Sequence, residues 1–273
     1  MRRHIALLAL ACAALLVVAG CGSSKKTSSN TTSTKTTAPA AANRQLTLPK
    51  ASQPATASGK ATAANVTAAP LSFGKPTRRA ALKGLGGKSV ADKLALFAGD
   101  AGAFWQQVFT KAKLKFEPAT VNVIASQQSI GCNPPGTVKS TDAPVYCVAD
   151  SSIDLPVDSL SKLDQDPKFS DAGVLALVGF YWGLHVENQA GLFKKQGITG
   201  AKITQGALCL DGIYVSSVGQ RNLLDTGDLD KIANIVAAGG DAPGTPTDKG
   251  VGSPSELVNA FNTGLSGKKC TLG

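Results

Sequence analysis

Apolar residues are spread unevenly along this chain, and their spacing marks out its elements. From Ser89 to Lys113, Leu94, Leu96, Phe97, Phe104, Trp105, Val108 and Phe109 recur at helical spacing, which predicts one or two amphipathic helices broken near Gly99 and Gly102. Thr120 to Ala125 alternates with β-branched residues and reads as a strand. Pro144 to Val148 and Ser152 to Leu155 read as two more, joined by a turn at Ala149-Asp150-Ser151. Asp171 to Gln189 is apolar on nearly every face and predicts a buried helix. Its uncharged stretch, Ala172 to Val186, is short for a bilayer span. Ile198 to Val218 and Thr226 to Ala238 predict further helices, the second capped by Thr226 or Asp228. Ser253-Pro254 opens a last helix that ends near Gly264 or Gly267. The pattern is α+β, a small β-sheet packed on a mostly helical body.

The amino-terminal third has a different character. Arg2 and Arg3 precede an apolar run from Ile5 to Val18 that closes on Ala19-Gly20-Cys21, the layout of a signal peptide over residues 1–20. Val18-Ala19-Gly20-Cys21 also resembles the lipobox of bacterial lipoproteins, which implies lipidation of Cys21 and a membrane anchor on the extracytoplasmic face of the cell membrane. Residues 21–88 are dominated by Ser, Thr, Ala and Lys and read as a disordered tether, because so few large apolar groups cannot offset the entropy of ordering the backbone. The folded domain is expected over residues 89–273.

Charge follows the same division. The formal net charge is +10, yet no acidic residue precedes Asp92. The first 91 residues hold 13 Lys/Arg, leaving 15 against 18 Asp/Glu in the remainder. The folded part is mildly acidic, which argues against nucleic-acid binding.

Of six cysteines, Cys12 leaves with the signal and Cys21 is taken by lipid. The remaining four suit two disulfides in an exported domain, with three connectivities open. Cys132 and Cys147 flank a short turn-rich segment, which favours Cys132–Cys147 together with Cys209–Cys270. A zinc knuckle would want CxxC spacing, which the sequence lacks.

Phe104-Trp105-Gln106-Gln107-Val108-Phe109, Tyr146-Cys147-Val148-Ala149-Asp150, Gly183-Leu184-His185-Val186-Glu187-Asn188, Ala207-Leu208-Cys209 with Gly212, and Gly252-Ser253 with Phe261, Gly264 and Cys270 occur in that order. Together they resemble the neutral zinc metallopeptidase family, a zincin-like group, over nearly all of the folded part. The resemblance implies a zincin-like fold and cysteine positions that agree with the pairing above. In the family, two His four apart on one helical face hold zinc, a Glu between them is the general base, and a later Glu is the third ligand.

In this chain those positions carry Phe180, Tyr181, Leu184 and Thr204, with Leu208 and Val251 at two further polar positions of the family pattern. His185 stands one residue beyond the second ligand position, about 100° around the helix. It is the sole imidazole once His4 has left with the signal. The expectation is a pseudoenzyme without metal or other cofactor, in which Phe180, Tyr181 and Leu184 fill the volume of the lost site. Tyr181, Trp182 and His185 are candidate cleft residues for an envelope protein or peptide. The competing reading is a residual zinc peptidase with a mixed site drawn from His185, Glu187 and Asp211. Asp164 and Asp166, the nearest approach to a glycosidase carboxylate pair, read as a solvated turn.

Overall fold

Ser89 begins the helical body. Its side-chain oxygen accepts from the Asp92 amide and caps α1, Val90–Lys111, which runs on through Gly99 and Gly102 without a break. The apolar stripe from Leu94 to Phe109 is buried along the whole helix, and that burial outweighs the roughly 1 kcal/mol helix cost of each glycine. The computed structural model describes residues 43–46, 59–62, 66, 85–239 and 251–273. The predicted signal peptide, Cys21 and most of the predicted tether lie outside the described residues.

Pieces of that tether nevertheless belong to the fold. Strand β1, Arg44–Leu46, pairs antiparallel with β2, Thr120–Ile124, and Arg44 reaches Asp92 of α1 at 2.7 Å. Gly59 bridges to Leu114, and Ala61, Val66 and Leu85 are buried in the core cluster. Scattered single apolar residues were enough to dock the chain where a sheet edge and a helix end were waiting.

After β2 come a short hairpin, β3 (Gln128–Ile130) and β4 (Gly136–Val138), then β5 (Val145–Cys147) and β6 (Ser152–Pro156). The main sheet has the order β1-β2-β6-β5, with β2 and β6 parallel and both edges antiparallel. Helix α2, Val157–Gln165, follows at once. Leu160 is the one buried residue of this helix, too little apolar periodicity to mark it in the sequence. Asp164 is accordingly no solvated turn residue: it pairs with Lys93 of α1 at 2.8 Å, both side chains nearly buried.

Helix α3, Ser170–Gln189, is the axis of the molecule and is buried from Ala172 to Glu187 with one break, Leu177. It packs against α1, α2, α4 (Gly200–Gln220) and α5 (Asp228–Ala238). Neither Thr226 nor Asp228 caps α5. Gly227 occupies the cap with φ +86°, and the Asp228 carboxylate instead accepts from the Asp225 amide and Lys231. Helix α6, Pro254–Leu265, opens with the reciprocal Ser253–Glu256 capping box. Cys132 is bonded to Cys147 and Cys209 to Cys270, so the carboxy-terminal tail is fastened to α4. The fold is α+β and mostly helical. Among the described residues no helix is long and apolar enough to cross a membrane.

Candidate functional site: an apolar cleft between central helices

Helices α3 and α4 cross at glycine and alanine. A Cβ on Gly183 would lie 2.5 Å from the Ala207 carbonyl oxygen, so only glycine permits this approach. The crossing places Phe180 and Tyr181 of α3 beside Thr204, Leu208 and Asp211 of α4, and together with Leu257 of α6 they wall an open cavity of about 220 Å³. Its rim includes Ala143 and Pro144, just before edge strand β5, and Gly239 at the end of α5. Burial of three large side chains has therefore not closed the space. A volume of this size exceeds the roughly 150 Å³ apolar cavity that holds a benzene ring.

Tyr181 contributes a polar tie as well as a wall. Its hydroxyl donates to the Pro144 carbonyl at 2.8 Å, joining the central helix to the approach of β5. Burial alone lifts its phenol well above the usual value. Phe180 meets the Tyr181 ring edge-on at 5.4 Å. Leu184 is fully buried and Val251 is buried, and neither is among the described residues lining the cavity.

Trp182 and His185 lie elsewhere, on faces of α3 turned into the core. Trp182 is fully buried and meets His185 edge-on. His185 donates from Nε2 to the Glu117 carbonyl at 2.7 Å and accepts at Nδ1 from the Tyr146 hydroxyl at 3.2 Å. That hydroxyl in turn accepts from Asn188 at 2.8 Å. Desolvation holds the imidazole neutral, down to about 4. Of the three candidate cleft residues, Tyr181 alone lines the cavity.

The mixed site is not assembled either. Glu187 faces Gly206 of α4, whereas Asp211 faces Gly179, eight residues and about 12 Å further along α3. Among the described residues, none of the four carboxylate oxygens of Glu187 and Asp211 has a hydrogen-bond partner, nor has the Thr204 hydroxyl. Burial raises both carboxyls well above their ordinary range, favouring the protonated form. One group of three ligating side chains does converge among the described residues: Cys132, Cys147 and Asp154. Bonded to each other, its two sulfurs are not thiolates and offer no charge to a cation.

The description "Putative neutral zinc metallopeptidase" belongs to the family whose profile matches residues 86–267. The chain is a member of this family. Curated relatives include "Uncharacterized protein YpfJ" from two Escherichia coli strains, K12 and O6:H1 (CFT073), each 27% identical over 153 residues, 50% of this chain and 51% of the relative. The chain thus spans about half the length of the curated relatives it matches. No solved structure matches it. Zinc is the metal the family's description implies. The described residues lining the cavity do not fit it, since they include no His, Cys or Glu and Asp211 is their one carboxyl. Of the cavity walls, only Tyr181 is among the cleft residues expected from the sequence. Asp211 as a wall residue was not legible, because nothing local in α4 distinguishes a cavity-facing acid from one paired across a helix interface.

Proposed function

We propose that this metallopeptidase-family protein is an extracytoplasmic lipoprotein, anchored to the cell membrane through Cys21, whose cleft binds rather than hydrolyses. The observation that carries the reading is the open, mostly apolar cavity walled by Phe180, Tyr181, Thr204 and Leu208, and the resemblance to the family sets these four at positions of its polar pattern. An apolar group from an envelope protein or peptide would gain burial there. Water activation is poorly served there, because Tyr181 is engaged with Pro144 and burial raises Asp211 towards its protonated form.

The test has two arms. Full-length protein equilibrated with micromolar zinc should retain well below one zinc per chain by elemental analysis, and should leave casein intact. Stoichiometric zinc with chelator-sensitive hydrolysis would overturn the reading in favour of a residual peptidase. In the second arm, the fluorescence of anilinonaphthalene sulfonate should rise with the wild type and not with Ala143→Trp, which plugs the rim from an exposed position. Equal fluorescence from both proteins would remove the cleft from the proposal.

A further inference from the structure

The two sulfurs of the Cys132–Cys147 bond have unequal surroundings. Cys132 is partly exposed, in the β3–β4 loop between exposed Gly131 and Asn133, while Cys147 is buried at the end of β5. On the buried side lies a carboxyl group. Asp154 of β6 is fully buried and its Oδ2 is 3.7 Å from Cys147 Sγ. Its Oδ1 accepts from Asn122 of β2 at 2.7 Å, so a proton on this acid belongs on Oδ2, facing the sulfur. A polar cavity of about 340 Å³ is lined by Asn122, Gln128, Ser129, Asp150 and Gly131, the residue before Cys132, among others.

We propose that Cys132–Cys147 is an exchange-active disulfide, attacked by an external thiol at Cys132, with Asp154 as the proton donor to the leaving sulfur of Cys147. The incoming thiolate forms a new S–S bond to Cys132 Sγ. The old S–S bond breaks with its electron pair on Cys147 Sγ. Oδ2 of Asp154 gives up its proton to that sulfur, leaving a thiol and a carboxylate steadied by Asn122. A second thiol then releases Cys132 as the free thiol, so that two external thiols are oxidised to one disulfide as the protein bond is reduced. Protonating a thiolate that would otherwise be left buried beside a carboxyl group is what makes the buried sulfur a competent leaving group.

Burial brings Asp154 up to about 6, Asn122 lowers it and Asp150, in the turn between β5 and β6, raises it. Asp150 is the charged neighbour acting on it, and Cys147 from β5 is uncharged. None of these residues lines the apolar cleft, so the exchange site stands or falls separately from the binding proposal.

Reduced glutathione, applied to the folded full-length chain and followed by peptide mass mapping, provides the test. The adduct is expected on Cys132, with Cys132–Cys147 opening at least about tenfold faster than Cys209–Cys270, and Asp154→Asn slowing that opening by about tenfold. Should Asp154→Asn fail to fold, the wild-type pH profile decides. The rate constant per thiolate should fall about tenfold between about pH 5 and 8 as the donor ionises. Adducts divided equally between Cys132 and Cys147, both bonds opening together, or a constant rate per thiolate across that range would each overturn the proposal.

Discussion

Three buried titratable side chains on two helices set opposing pH demands. Asp211 and Glu187 keep their protons in the fold and lose them when unfolded, because burial raises both. Between the ordinary carboxyl range and the folded values the native state binds more protons, so their contribution to stability declines as pH rises. His185 is the reverse. Its folded value of about 4 lies below the unfolded 6.5, so stability falls as pH drops through that window. Urea denaturation from about pH 4 to 9 should show Asp211→Asn and Glu187→Gln each flattening the decline on the alkaline side, by up to about 1.4 kcal/mol per pH unit. Variants that show the wild-type slope would mean that these acids are ionised in the fold. The sequence displayed all three residues, but not their isolation. A lone acid in an apolar helix is visible in one dimension, whereas the missing partner is a property of the facing helix.

The elements were legible wherever burial was continuous and obscure wherever it was local. Helix α3 and the strands β2 and β6 were readable because nearly every side chain goes inside, in β2 as a continuous run and not as the alternation expected. Helix α2 escaped because Leu160 is its one buried residue, and the β3–β4 hairpin because it is polar and exposed. Helix–helix distances were also beyond reach until partners were known. Gly264 of α6 lies against the Cys209 backbone and Gly212 of α4 against Phe261, so α4 and α6 touch backbone to backbone. A methyl group at Gly264 has nowhere to go. Gly264→Ala should therefore destabilise the protein by about 3 kcal/mol in urea titrations; a loss below about 1 kcal/mol would mean that α6 shifts freely.

At the scale of the whole molecule, described residues upstream of the expected domain start at 89 make contacts with it. A boundary at residue 89 severs the β1–β2 pairing, the Arg44–Asp92 ion pair and the burial of Ala61, Val66 and Leu85. A chain starting at residue 40 should be more stable than one starting at 89 by about 2–4 kcal/mol, read from their denaturation midpoints. Equal midpoints would show that those amino-terminal pieces add nothing. Composition could not reveal this. The docking residues are too few to change the Ser, Thr and Ala character of the segment, and each gains stability only because a formed surface receives it.

The hydroxyl of Tyr181 gives one side chain two duties, as a wall of the cavity and as a clasp on the Pro144 carbonyl. Any replacement that reshapes the wall at this position also releases the clasp, so the shape of the cavity and the hold of α3 on the approach to β5 cannot be adjusted separately there.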